Sequence, residues 1–215
     1  MAATRSVCVL GGGPLGVRVV RSLLDRSEFS VTFVGAELPA GAEDDVAACF
    51  TLSDLSHPKS CDLATRGASV VIDLGAPLGG ASFIAENDAS IARAFGVRTY
   101  NLLEAARRNG CEMYCLASAL RASCSEQSTS AARAQLDVAT SVVKQYGAGA
   151  SARAGSLATV VVHLGCIFGP GLPWRGGRES VVAAICAVVS SPSTTGDVTI
   201  DSFVFCFVFF RNIYN

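Results

Sequence analysis

The chain has 215 residues, of which 50% are hydrophobic and 16% are charged, and this composition supports one domain with a sizeable core. Its net charge of −1 gives no electrostatic basis for binding nucleic acid or an anionic membrane, so we expect no nucleic-acid partner. Nine cysteines without a Cys-x-x-Cys pair, and only two histidines, argue against a disulfide framework and a zinc site. We therefore expect reduced thiols, no bound metal and a cytoplasmic location.

The first predicted strand, residues 7–10, leads directly into a glycine-rich turn and then into apolar residues at helical spacing. Gly11, Gly13 and Gly16 form the pattern G-x-G-x-x-G. In a dinucleotide-binding turn the first glycine permits the tight bend, the second lets the backbone approach a pyrophosphate, and the third lets the helix pack closely on the strand. The helix N-terminus adds free N–H groups and a partial positive charge. The turn therefore predicts binding of NAD or NADP; the alternative is a glycine turn without a ligand.

Downstream, apolar runs alternate with helical patterns. Strands are predicted at residues 30–34, 47–52, 68–74, 112–117 and 157–164, and helices at residues 87–109 and 130–146. We expect the first of these helices to end at Gly110 and to bury the side that carries Leu102, Leu103, Ala105 and Ala106. This alternation predicts an α/β fold, a Rossmann-type doubly wound parallel sheet with right-handed connections. The second strand ends at Gly35, where this fold usually has an acidic residue for the adenine ribose, and Glu37 lies two residues late. The choice between NAD and NADP therefore stays open.

Five stretches resemble motifs of the extended short-chain dehydrogenases/reductases, in the order of that superfamily. They are Asp54-Leu55, ASVVIDLGA at 68–76, RTYNLLEAARRNG at 98–110, MYCLASA at 113–119 and VVVHLGCIFGPG at 160–171. Arg98 stands where the superfamily usually has glycine. The chain is most similar to two branches, the sugar-nucleotide epimerases/dehydratases and the 3β-hydroxysteroid dehydrogenases/isomerases, and residues 167–170 slightly favour the steroid branch.

The resemblance implies an NAD(P)-dependent oxidoreductase whose substrate is a steroid or a sugar nucleotide. It implies that Ser118 polarises the substrate carbonyl and that the nicotinamide exchanges hydride above the carboxyl edge of the sheet. By the same resemblance Asp54 and Leu55 contact the adenine, and Gly75 and Ala76 form a turn against the cofactor.

The chain departs from the superfamily at the catalytic Tyr-x-x-x-Lys pair. With Asp137 aligned to the superfamily's glutamate, Thr129 occupies the tyrosine position and Arg133 the lysine position. Arginine still supplies positive charge, with different geometry, whereas threonine cannot replace a phenol. Tyr146, at the far end of the helix, is the other candidate. The alternative function is therefore a non-catalytic dinucleotide-binding sensor or scaffold.

The C-terminal region is short compared with extended members of the superfamily. We expect an NAD(P)-binding domain at residues 1–175 and a partial, truncated substrate region at residues 176–215. Residues 204–210, VFCFVFF, are all apolar and contain no charge or proline, a composition prone to edge pairing. They predict self-association or contact with a membrane surface, and we favour a strand of an incomplete domain.

Overall fold

The computed structural model describes residues 4–75, 81–119, 131–150 and 157–164. The chain alternates strands and helices throughout these segments. In order they are β1 (Arg5–Leu10), α1 (Gly13–Leu24), β2 (Phe29–Gly35), α2 (Asp44–Ala48), β3 (Phe50–Leu52), α3 (Pro58–Thr65), β4 (Val70–Asp73), α4 (Ala81–Arg108), β5 (Met113–Ala119), α5 (Ala131–Ala150) and β6 (Ala158–Leu164). The predicted substrate region and its apolar tail lie outside the described residues, as do Ala76 and Thr129.

The six strands form one sheet in the order β3-β2-β1-β4-β5-β6, and every neighbouring pair is parallel. This arrangement confirms the predicted Rossmann-type doubly wound sheet. The strand order reverses between β1 and β4, which are hydrogen-bonded neighbours at the centre. In open parallel sheets a ligand crevice forms at such a reversal, outside the carboxyl ends of the strands. We therefore expect a ligand site between the turns after β1 and β4.

The helices cover both faces of the sheet, as a parallel sheet requires. One core layer packs α3, α4 and α5 against the sheet, and the other packs α1 and α2 against the opposite face. The predicted buried side of α4 is confirmed, since its four predicted core residues are fully buried: Leu102, Leu103, Ala105 and Ala106. The predicted stop at Gly110 is also confirmed, because this glycine follows the helix with a left-handed φ of +71°.

Three predicted boundaries were wrong by more than two residues, and the largest difference is at the start of α4, which lies at Ala81 and not at residue 87. Residues 47–48 belong to the short helix α2 and not to a strand, because Asp44 and Asp45 supply an acidic first turn. Helix α5 continues past its predicted end at residue 146, through Gly147 to Ala150. A Cβ atom at Gly147 would lie 2.2 Å from Oγ1 of Thr159, so this glycine permits close packing of α5 on β6 and does not end the helix. Within the described segments no helix is long and apolar enough to cross a membrane.

Candidate functional site

The turn after β1 consists of three consecutive glycines with positive φ. Gly11, Gly12 and Gly13 have φ of +67°, +87° and +50°, a region that glycine adopts without a steric penalty. Helix α1 begins at Gly13, and the carbonyl of Gly12 accepts hydrogen bonds from the amides of Leu15 and Gly16 at 3.0 and 3.2 Å. The chain thus bends sharply and presents the N-terminus of α1 at the carboxyl edge of the sheet. Sequence reasoning assigned no role to Gly12; its place in the run of three glycines was the available signal.

The two sides of this turn differ in how much space they leave for a side chain. A Cβ atom at Gly16 would lie 2.3 Å from the carbonyl oxygen of Gly11 and 2.9 Å from the ring of Phe33. A Cβ atom at Gly12 would lie 2.6 Å from Cβ of Leu74. At Gly13, by contrast, a Cβ atom would meet no atom of the described residues within 4 Å. The turn is therefore packed tightly against the protein and open at the helix N-terminus, which is the geometry that admits a phosphate group.

The turn after β4 carries a buried polar cluster beside the glycine turn. Asp73, the last residue of β4, is fully buried and its Oδ1 accepts a hydrogen bond from the amide of Gly75 at 2.9 Å. Nη2 of Arg98, from α4, donates to the same Oδ1 at 2.5 Å, and the hydroxyl of Tyr114 donates to Oδ2 at 2.6 Å. Nη2 of Arg98 also approaches the carbonyl oxygen of Leu10 at 3.4 Å. The cluster joins the carboxyl ends of β1 and β4 to helix α4 and, through the Tyr114 side chain, to the N-terminal part of β5.

Burial controls the protonation of the groups around this cluster. It raises the pKa of Tyr114 well above its ordinary value, and the charge of Asp73 raises it further. Burial likewise raises the pKa of the Cys8 thiol to about 12 and that of Cys61 to about 11. Since the thiolate is the nucleophilic form of cysteine, these thiols are structural core groups at neutral pH. No group of residues that could hold a metal ion occurs in the described part of the chain.

The predicted adenine contacts lie after β3. Asp54 is exposed, and its Oδ1 accepts a hydrogen bond from the amide of Ser56 at 2.9 Å. That hydrogen bond is the main reason why the pKa of Asp54 is lowered. Leu55 is only 6% exposed and packs into the core, so little of its surface is available to a ligand. Nδ2 of Asn101 donates to the carbonyl of Ser56 at 3.1 Å and thereby ties this turn to α4. The roles of Asp54 and Leu55 stay predictions.

The predicted catalytic residues are described only in part. Ser118 lies on β5, one residue before its end, and Arg133 lies in the first turn of α5. The structure places their backbones and does not describe their side chains, so their roles stay predictions, as do those of Ala76 and Thr129. Tyr146 lies near the C-terminal end of α5, where its hydroxyl donates to Oε2 of Glu104 at 3.3 Å.

The comparisons with known proteins agree with this geometry. The model of the NAD dependent epimerase/dehydratase family matches residues 7–192. The chain belongs to this family. The predicted superfamily and the predicted dinucleotide cofactor are therefore confirmed at the level of the family.

Similar relatives include plant epimerases. The chain is 28% identical over 194 residues to GDP-mannose 3,5-epimerase 1 of Oryza sativa subsp. japonica, a match that covers 81% of this chain and 50% of that protein. It is 27% identical over 195 residues to GDP-mannose 3,5-epimerase of Arabidopsis thaliana, with the same coverage. The chain thus spans about half the length of these relatives.

Solved epimerases share the fold. UDP-glucose 4-epimerase of Thermotoga maritima, solved with UDP-glucose, superposes with a TM-score of 0.67 at 16% identity, covering 83% of this chain and 61% of that one. UDP-glucose 4-epimerase of Thermus thermophilus, solved with NAD, superposes with a TM-score of 0.64 at 21% identity, covering 85% and 60%. At these identities the likeness concerns the fold alone.

Proposed function

We propose that the chain binds NAD in the crevice between the turns after β1 and β4, as the dinucleotide-binding part of an enzyme that acts on sugar nucleotides. Bound NAD would supply hydride exchange. The chain's own contribution is a site for the pyrophosphate, made by the backbone of the glycine turn at Gly12 and Gly13 and by the positive end of the helix dipole of α1. We place Asp54 and Leu55 at the adenine end, and Gly75 and Ala76 at the turn that faces the pyrophosphate.

The open space at Gly13 is the observation that carries the proposal. The glycine turn is packed against the protein at Gly12 and Gly16, whereas at Gly13 a side chain would project into space that no described residue fills, at the start of α1. The left-handed φ of Gly13 favours glycine in a structural turn as well, but the packing of the turn does not, because a Cβ atom there would meet no described atom. The open space at the start of α1 is what a ligand that approaches the backbone closely requires.

A matched pair of variants tests this proposal. Gly13→Ala and Gly67→Ala both place a methyl group in open space at a left-handed φ, so both carry a similar conformational strain. Gly67 precedes β4, at the opposite edge of the sheet. We expect the fluorescence of NADH to change on binding to the wild type and to Gly67→Ala, and Gly13→Ala to bind at least about tenfold more weakly. Equal binding of NADH by both variants would show that the glycine turn is not part of the binding site. A parallel titration of the wild type with NADPH measures its preference between the two cofactors.

The relatives favour a sugar nucleotide over a steroid as the substrate. The similar plant protein is a GDP-mannose 3,5-epimerase, and the similar bacterial protein is a UDP-glucose 4-epimerase. We therefore expect UDP-glucose or GDP-mannose, added to the NAD-loaded protein, to give a calorimetric binding signal that a hydroxysteroid does not give. Binding of the hydroxysteroid, without binding of either sugar nucleotide, would instead indicate a steroid substrate.

The catalytic positions favour a second candidate function for this sequence, a dinucleotide-binding sensor or scaffold. Thr129 and Arg133 stand where the superfamily has its tyrosine and lysine, so we expect turnover to be low even where NAD binds. The variant Thr129→Tyr with Arg133→Lys should raise turnover of the correct substrate, while Ser118→Ala in that background should lower it again. Ordinary turnover by the wild type, on the order of 10 per second, would exclude the non-catalytic function.

A further inference from the structure

Arg98 stands where the superfamily usually has glycine, and its side chain lies inside the molecule. Helix α4 carries it over the central strands, where its side chain is 13% exposed. Nη2 of Arg98 lies 2.5 Å from Oδ1 of Asp73 and 3.4 Å from the carbonyl oxygen of Leu10. Asp73 is the last residue of β4, and Leu10 is the last residue of β1 before the glycine turn. One nitrogen therefore bridges the two turns that flank the crevice.

The guanidinium also lies against both turns. A Cβ atom built at Gly75 would lie 1.1 Å from Nη1 of Arg98, so the guanidinium occupies the space that a side chain at this position would fill. A Cβ atom built at Gly11 would lie 3.5 Å from Nη2 and 3.5 Å from Cα of Gly75. The guanidinium thus lies against the backbone of both turns where they approach each other.

Asp73 fixes the guanidinium in this place. Its buried carboxylate receives hydrogen bonds from Arg98, from the amide of Gly75 and from the hydroxyl of Tyr114. The carboxylate neutralises the charge of Arg98, so long-range attraction of a phosphate is not the effect that this pair is suited to produce. Its effect is geometric, because a buried charge pair with several hydrogen bonds has few alternative arrangements.

We propose that Arg98 is a positioning residue for the dinucleotide: held by Asp73, its guanidinium ties the glycine turn after β1 to the turn after β4 and so sets the width of the crevice that receives the pyrophosphate. This inference rests on the proposed binding of NAD. A site that is already in its bound shape loses less free energy in ordering its loops when the ligand arrives. Loss of Arg98 should therefore weaken binding of the dinucleotide even in molecules that remain folded.

The first test replaces Arg98 by methionine, which keeps much of the side-chain length and removes the hydrogen bonds. We expect the dissociation constant for NADH to rise about tenfold in Arg98→Met, the loss typical of a hydrogen bond to a charged group. Arg5→Met is the matched control, because Arg5 also pairs with a carboxylate but lies exposed at the start of β1. We expect its dissociation constant to equal that of the wild type.

The second test remains informative if the methionine variant folds poorly. Arg98→Gly removes the side chain, and guanidinium ion added at low concentration can enter the space left beside Asp73. We expect guanidinium to restore binding of NADH, and ammonium at the same ionic strength not to do so. A purely structural role would instead lower the thermal midpoint of the Arg98 variants and leave the affinity of the folded molecules unchanged.

The results of these tests distinguish the positioning role of Arg98 from the proposed NAD site. Wild-type affinity in Arg98→Met, together with lost binding in Gly13→Ala, would overturn the positioning role and leave the NAD site standing. Failure of guanidinium to restore binding in Arg98→Gly would also overturn the positioning role. Absence of NADH and NADPH binding by the wild type would overturn the NAD site, and the positioning role with it.

Discussion

The carboxyl edge of the sheet, where the parallel strands end, and the amino edge, where they begin, contain the same residue types in different surroundings. Both edges have glycines with left-handed φ, and both have an arginine paired with a carboxylate. At the carboxyl edge Gly12 and Gly75 are crowded, Gly13 is open, and the pair Arg98–Asp73 is buried. At the amino edge Gly67 and Gly110 meet no described atom, and the pair Arg5–Glu112 is more than half exposed. The comparison teaches that a glycine or an ion pair acquires functional meaning from what surrounds it.

The largest expected effect concerns Gly16. In Gly16→Ala the methyl group would lie 2.3 Å from the backbone oxygen of Gly11, which cannot move without opening the turn. We expect a loss of about 3 kcal/mol in the free energy of unfolding, measured by urea denaturation. Gly110→Ala, at the amino edge, meets no described atom within 4 Å and should lose only the cost of its left-handed φ, about 1 kcal/mol. Similar losses in the two variants would contradict the difference between the edges.

The next effect tests the contact between Gly75 and Arg98. Gly75→Ala forces the guanidinium out of its place and weakens the buried pair with Asp73. We expect a loss of about 2 kcal/mol, less than for complete removal of one partner, because the displaced Arg98 remains in the chain and keeps part of its attraction to Asp73. In an Arg98→Ala background the same substitution should be almost neutral, so a double-mutant cycle should give a coupling energy of about 2 kcal/mol. Additive losses would show that the two residues do not compete for one space.

The sequence predicted the parts of this edge that depend on local pattern. The strand, the glycine turn and the helix after it are adjacent in the chain, and the buried side of α4 follows from helical periodicity. The contact of Arg98 with Asp73 and that of Tyr114 with Asp73 join residues 25 and 41 positions apart. These contacts depend on which strands are neighbours, so Arg98 was visible only as a departure from glycine, and Asp73 only as a single acid in an apolar run.

A smaller effect should follow from the buried thiol of Cys8, on the central strand that ends at the crowded edge. Burial raises its pKa from 9.0 to about 12, so the folded protein keeps this proton in a pH range where the unfolded chain loses it. The associated stability is fully present below about pH 9 and is lost as the pH rises from about 9 to about 12. We expect the free energy of unfolding of the wild type to fall by roughly 1 kcal/mol more than that of Cys8→Ala between about pH 8 and about pH 10. Parallel pH profiles of the two proteins would show that the thiol is not buried in this way.

The smallest expected effect belongs to the ion pair at the amino edge. Nη2 of Arg5 lies 2.7 Å from Oε2 of Glu112, a shorter separation than in many surface pairs, but the two side chains are 56% and 60% exposed. Water already solvates both charges, so Arg5→Met should lower the free energy of unfolding by about 0.3 kcal/mol, and added salt should reduce even this difference. The matched substitution Arg98→Met should cost several times more, because it leaves the carboxylate of Asp73 buried without its cation. Equal losses in the free energy of unfolding of Arg5→Met and Arg98→Met would show that burial does not make the Arg98–Asp73 pair stronger than the Arg5–Glu112 pair. Such a result would also weaken the proposal that Arg98 positions the dinucleotide.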